Sequence, residues 1–368
     1  MKKKIGLIVN PIAGMGGKVG LKGTDGEENF KKAVKNGAVK ESPQKTLRTL
    51  KNLNSIKDKI EIYTYSGEMG EIECIKAGLN FTVLKKVEKS TSSKDTVQAA
   101  EEILGKKVDL IVFSGGDGTA RDIYDVVKDE VPVIGIPTGV KIHSAVFASN
   151  PENAASVIID FVEGKSIVVE EREVIDIDEK DLKKDTMNPK LYGYMKVPYK
   201  NRLVQNLKSS GHNSQNGDSI AKYIIDNMDE EYYYIIGAGT TTRKIMEKLN
   251  LNNTLLGVDV VYKKKLFKKD ANEKELLEIT KNNKSKIMIT PIGGQGFLFG
   301  RGNQQISPEI IKNVKKENII IISTAEKLLE IMNRPLLVDT GDIETDNYLK
   351  GIYKIIVGYD EYYAWRCN

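Results

Sequence analysis

The sequence predicts an α/β chain: an N-terminal doubly wound parallel sheet domain plus a second, β-rich domain. Three observations carry this. Short apolar runs alternate with helix-patterned segments as far as Ser149, and glycine-rich turns recur where those runs end. The third is length: 368 residues suit two domains better than one.

Taken in order, residues 5–9 are an apolar first strand and residues 10–26 a glycine-rich loop. Ser42-Pro43 supplies the start signal of a helix running to about Leu53. Residues 60–63 and 81–84 read as strands, and 95–104 as a helix. Residues 110–113 form a buried strand that stops in Ser114-Gly115-Gly116-Asp117-Gly118-Thr119, with a helix expected from Thr119 or Ala120. Residues 133–136 are the next strand. In such sheets ligands sit at the carboxyl ends of strands, so the loops carrying Asn10 and Asp117 are expected to meet. Asn150-Pro151-Glu152 caps a helix to about Val162; residues 167–177 alternate as a strand, with 191–197 as its partner. Residues 199–218 are polar and read as a loop or long hairpin. The expected division is 1–149 for nucleotide binding, 150–335 for acceptor binding, and 336–368 packing back on the first domain.

Composition narrows the function classes. The chain is 40% hydrophobic and 29% charged with net charge +5, its lysines spread over most segments. No basic stripe with interleaved aromatics points to nucleic acid, while a modest positive field favours small anionic ligands such as nucleotides. Two distant cysteines, Cys74 and Cys367, give no disulfide framework and fit a reducing compartment. Two histidines leave no His-rich zinc site. The N-terminal apolar run is too short for a signal peptide and no stretch reaches membrane-spanning length, so a soluble cytoplasmic protein is expected, with no membrane partner.

The chemistry is concentrated in glycine-bearing turns. Gly115-Gly116-Asp117-Gly118-Thr119 joins strand to helix, where backbone N–H groups suit a phosphate. A carboxylate in such a cradle repels the ligand, so it needs a purpose: holding a metal ion or taking the proton of an acceptor hydroxyl. A plain turn capped by Asp117 needs only one glycine. Asn10, with Gly14, Gly16 and Gly17 behind it, offers an adenine or ribose contact and room beneath phosphates; it is not a Walker A loop. Gly23-Thr24-Asp25-Gly26 reads as an extension of that loop or a simple turn. Residues 136–145 form another strand–turn–helix, with Lys141 and Ser144 as phosphate partners; His143 is more often a structural residue type than an acid–base one. Thr240, Thr241 and Thr242 follow Gly237-Ala238-Gly239 and suit a phosphate. Gly293, Gly294 and Gln295, with Arg301, Asn303 and Gln304, offer room and directional hydrogen bonds to an acceptor; a glycine-rich hairpin is the plainer reading. Asp339-Thr340-Gly341-Asp342 reads as a solvated turn, with a second metal-binding carboxylate as the alternative.

Gly115-Gly116-Asp117-Gly118-Thr119 resembles the signature of NAD kinases and of diacylglycerol and sphingosine kinases. Asn10-Pro11 with Gly14 and Gly16 is similar to the opening nucleotide loop of the lipid-kinase branch. The wider set, including the stretches around Lys141, Thr240 and Arg301, resembles the predicted polyphosphate/ATP-NAD kinases with the acetoin-catabolism X-like proteins, over nearly the whole chain. The resemblance implies that Asp117 contacts the 2′-hydroxyl of the adenosine ribose as base, that Gly115, Gly116, Gly118 and Thr119 bind phosphate, and that Mg²⁺ serves the reaction. It implies transfer from ATP or polyphosphate to NAD, giving NADP. The Asn-Glu pair of well-studied NAD kinases has no counterpart in the sequence; Glu171-Arg172-Glu173 stands in a comparable region. Another hydroxyl acceptor (sugar, polyol or lipid) and a non-catalytic nucleotide-binding regulator are therefore the alternative expectations. Homo-oligomers are common in this kind of fold.

Overall fold

The computed structural model describes residues 2–21, 27–87, 91–139, 142–165, 167–177, 189–199, 204, 214–254, 256–331 and 334–368. By contact the chain forms two units: Met1–Met15, Gly23–Val34 and Ala38–Leu207 in the first, Gly16–Lys22, Lys35–Gly37 and Lys208–Asn368 in the second.

The first unit is built on five parallel strands in the order β3-β2-β1-β4-β5. These are β1 (Lys3–Val9), β2 (Ile60–Thr64), β3 (Phe81–Val83), β4 (Leu110–Gly115) and β5 (Val133–Pro137). All six residues of β4 and all five of β5 are buried, as continuous apolar runs in a covered parallel sheet must be. Each fully buried Ile, Leu or Val side chain contributes roughly 1.5–3 kcal/mol before entropy is counted. The helices are α1 (Glu27–Lys35), α2 (Ser42–Asn52), α3 (Glu71–Ala77), α4 (Ser93–Leu104), α5 (Asp117–Val127) and α6 (Pro151–Val162). α2 packs with α3 and α6, and α4 with α5, covering the sheet. β1 and β4 run in register to Val9 opposite Ser114, so their carboxyl ends finish side by side. Because β1 has β2 on one side and β4 on the other, the strand order reverses there, and a crevice for ligand opens at such a point.

An antiparallel hairpin, β6 (Val168–Ile177) with β7 (Pro189–Tyr199), completes this unit. It buries Val174, Met195 and Val197 and lies on α5, where a Cβ on Gly193 would stand 2.2 Å from the Tyr124 hydroxyl. That packing moves the division from about 150 to Leu207: α6 and the hairpin share the first unit's core.

The second unit has a seven-stranded sheet, β10-β9-β8-β11-β13-β15-β16. Its helices are α7 (Ser214–Asp226), α8 (Thr240–Lys248), α9 (Glu273–Asn282), α10 (Pro308–Val314), α11 (Ala325–Glu330) and α12 (Ile343–Leu349). The strands β8 (Tyr233–Ile236), β11 (Ser285–Ile289), β13 (Ile319–Ile322) and β15 (Gly351–Gly358) are parallel. β9 (Asp259–Tyr262), β10 (Lys265–Lys268) and β16 (Glu361–Cys367) add antiparallel edges, and β12 (Phe297–Phe299) pairs with β14 (Leu337–Val338). The 336–368 segment, expected against the first domain, supplies β14–β16 to this unit instead; β15 hydrogen-bonds to β13. Among the described residues no helix is long and apolar enough to cross a membrane.

Candidate active site

Three turns meet at the carboxyl ends of β1, β4 and β5. α5 begins at Asp117, two or three residues before the expected start at Thr119 or Ala120: Gly116 is the extended N-cap, and the Ala120 N–H makes the first helical bond, to the Gly116 carbonyl. The N–H groups of Asp117, Gly118 and Thr119 therefore have no acceptor within the helix, the geometry that suits a phosphate oxygen. Glycine is required at two contacts here. A Cβ on Gly139 would lie 2.7 Å from the Gly116 Cα, so these backbones cross in contact. Gly14 has φ +82° and its Cβ would stand 1.9 Å from the Thr138 carbonyl oxygen.

Asn10 ties the first loop to the second. Its N–H donates to the Ser114 carbonyl (3.0 Å), its Nδ2 to Thr119 Oγ1 (3.0 Å), and its Oδ1 accepts from the Ile12 N–H (3.3 Å). The loops converge as the topology requires, and the Asn10 side chain fastens them together. Ser42, at the start of α2, meets Ser114 at 3.0 Å between hydroxyls, a buried pair that the sequence reading did not assign to the site.

Asp117 is 6% exposed and turned toward the third turn, not open to solvent. Its Oδ2 accepts the His143 N–H (2.7 Å) and its Oδ1 the Ser144 N–H (3.0 Å). Burial pushes the carboxyl up to about 7, with the Asp176 charge adding to the rise and the Ser144 and His143 hydrogen bonds opposing it. A carboxylate offers about four lone-pair positions, and the two amides and the Ser144 side chain draw on them without using all. The Ser144 hydroxyl, expected on a phosphate, is used within the protein: it donates to the Ile175 carbonyl (2.8 Å) and accepts from the Ile175 N–H (2.9 Å). Lys141, Gly23, Thr24, Asp25 and Gly26 lie outside the described residues, as does most of the polar loop 199–218.

The remaining predicted residues belong to the second unit. Gly16 and Gly17 are there, Gly17 facing the Gln304 side chain. Thr242 Oγ1 bonds the Gly237 and Gly239 carbonyls (2.7 and 2.9 Å) and locks its own turn. Thr241 Oγ1 accepts from Lys327 Nζ at 3.4 Å, and Thr240 is exposed. Gly293, Gly294 and Gln295 form the turn closed by the Gly296 N–H on the Ile292 carbonyl (2.7 Å). Arg301, 4% exposed, sets a guanidinium nitrogen 3.6 Å from Asp339 and lies 5.0 Å over the Phe297 ring. Asn303 bonds the Gly300 N–H and the Leu298 carbonyl, and Gln304 donates to the Gly300 carbonyl. Asn303 and Gln304 thus bond backbone groups of their own loop, while Arg301 meets Asp339. Asp339, read as a solvated turn residue, is buried.

Family models match both halves of the chain: the ATP-NAD kinase N-terminal domain over residues 5–166 and the ATP-NAD kinase C-terminal domain over residues 229–367. The chain belongs to the ATP-NAD kinase family. No curated protein matches it. Three solved structures from Bacillus anthracis str. Sterne, two titled "putative diacylglycerol kinase" and one titled as a diacylglycerol kinase, align at 19–20% identity with TM-scores of 0.23–0.24. The alignments cover 48% of this chain and 43–46% of theirs, so the chain spans less than half the length of those structures.

Membership in this family gives the chain its N- and C-terminal ATP-NAD kinase domains. Among the described residues no three His, Cys, Asp or Glu side chains come together to hold a metal.

Proposed function

We propose that this ATP-NAD kinase family member transfers the terminal phosphoryl group of ATP, or of polyphosphate, to the 2′-hydroxyl of NAD, giving NADP. The observation that carries the reading is Asp117: a carboxyl raised to about 7, at the first position of α5, where three glycine-bearing turns converge. A general base works best with a pKa near the operating pH, and an ordinary aspartate is far below it. The first-turn N–H groups of α5 would take phosphate oxygens, with Lys141 proposed as their cation. Asp117 would accept the proton of the acceptor hydroxyl through its unused lone pairs as that oxygen attacks the phosphorus and the nucleoside diphosphate, or shortened polyphosphate, leaves. Mg²⁺, bound with the donor, would offset charge between the phosphate oxygens. A cytoplasmic enzyme working on soluble nucleotides follows from this reading.

Another hydroxyl acceptor is the second reading, favoured by one observation. Where the Asn-Glu pair of the NAD kinases is expected, Arg172 lies 3.8 Å over the Tyr199 ring and ion-pairs with Glu170. Incubation with ATP, Mg²⁺ and a panel of NAD, sugars, polyols and diacylglycerol, followed by chromatography of the phosphorylated product, separates the two. NADP as the main product supports the proposal. Phosphate on another alcohol selects the second reading, and nucleotide binding without turnover removes both.

A further inference from the structure

The turn Gly237-Ala238-Gly239 takes no part in the chemistry assigned to Asp117, yet it stands where a second ligand is expected. β8 has β9 and β10 on one side and β11, β13 and β15 on the other, so the chain changes direction there. Sheets of this kind take ligands beyond the carboxyl ends of their strands at such a point. Three side chains of the second unit meet beyond the ends of β8 and β11. Lys327 Nζ, from α11, donates to Thr241 Oγ1 at 3.4 Å and to Thr290 Oγ1 at 3.3 Å. Gly239, at φ +153°, lies against the second of these: its Cβ would stand 2.3 Å from Thr290 Cγ2.

Thr241 is 4% exposed and Thr290 7%. Each hydroxyl accepts from the ammonium, and among the described residues neither has an acceptor for its own proton. Two buried O–H donors left in this way, on neighbouring strand ends and against one ammonium, call for an acceptor from outside the chain. The backbone adds to the same side of the balance. The N–H groups of Thr240, Thr241 and Thr242 precede the first bond of α8, from the Arg243 N–H to the Gly239 carbonyl, and no side chain caps them. Thr240 is exposed and Ala238 and Gly239 are half-buried, so the turn is open to solvent. We propose that Thr241, Thr290 and Lys327 form a phosphate-binding site within the second unit, taking the dianionic phosphoryl group of a small phosphorylated molecule. A carboxylate has only two oxygens for these donors, whereas a phosphate monoester brings three and a second charge for the ammonium. Thr242, whose hydroxyl is spent on the Gly237 and Gly239 carbonyls, shapes the turn and does not bind.

The test uses the full chain labelled with ¹⁵N at threonine and titrated with inorganic phosphate at constant ionic strength. The Thr241 amide signal is identified by its loss in Thr241→Ser, and that of Thr119, in the first turn of α5, by its loss in Thr119→Ser. The Thr241 signal is expected to move saturably. Lys327→Met should weaken phosphate at that signal by at least about tenfold and Thr290→Val by about threefold, while binding read at Thr119 stays within about twofold. Thr290→Ser, which keeps the hydroxyl, binds within about twofold of wild type. Lys327→Gln supplies the comparison if Lys327→Met does not fold. Glycerol 3-phosphate, a monoester, should move Thr241 as phosphate does; NAD, whose two phosphates carry one charge each, should not. A Thr241 signal that phosphate leaves in place, or that moves equally in Lys327→Met, overturns the proposal, and so does movement by NAD alone. No turnover is read, so failure of the Asp117 reading, seen as absent phosphoryl transfer, is distinguishable from failure of this one.

Discussion

Replacing Asp339 by Ala removes the carboxylate beside Arg301 where both side chains are almost wholly buried, 2% and 1% exposed. Breaking such a pair from one side leaves a charge in low dielectric and costs about 3–5 kcal/mol. With a urea dependence of about 3 kcal/mol per molar, the unfolding midpoint of the second unit falls by about 1–1.7 M. Trp365 is the sole tryptophan, on β16, with its Nε1 on the Arg334 carbonyl at 2.8 Å, so its fluorescence follows this unit. Arg301→Ala is expected to fall comparably. The double change to leucine at both positions, which removes both charges, returns to within about 2 kcal/mol of wild type. Arg301→Ala unfolding at the wild-type midpoint while losing acceptor affinity would refute the reasoning and restore Arg301 to the acceptor site.

Gly14→Ala forces a side chain into φ +82° with its Cβ 1.9 Å from a backbone oxygen. The conformation alone costs about 1–2 kcal/mol, so thermal denaturation should show a lower Tm, and calorimetry a weaker ATP affinity as the loop leaves the 138–139 turn. The raised Asp117 carboxyl also couples stability to pH. Its folded pKa lies above the unfolded one, so its contribution is complete below about pH 4 and is lost as pH rises through about 7. Asp117→Asn should therefore gain on wild type in urea melts between pH 5 and 8; a difference independent of pH contradicts the assignment.

How far the sequence carried the reading depended on the range of the forces involved. The apolar runs that became β1, β4 and β5 are buried on both faces, so composition alone marked them. The meeting of Asn10 with Thr119 followed from topology, since adjacent parallel strands bring their following loops together. α3 escaped notice because Gly70 and Gly78 bound only seven residues, with Ile75 exposed on the outer side. The start of α5 at Asp117 was hidden by turn-forming residues that here occupy the first helical turn. What Arg301 and Ser144 touch was not legible at all. Their partners, Asp339 and Ile175, are distant in sequence, and only the folded chain brings them within reach.

The most direct test of the central claim is NADP formation from ATP, Mg²⁺ and NAD by wild type and by Asp117→Ala, each at saturating substrate. A positioned general base contributes about 10²–10⁴-fold, so the variant should lose at least a hundredfold in kcat while ATP affinity holds within a few fold. Undiminished NADP formation by Asp117→Ala, or none by wild type under any donor, would contradict the account.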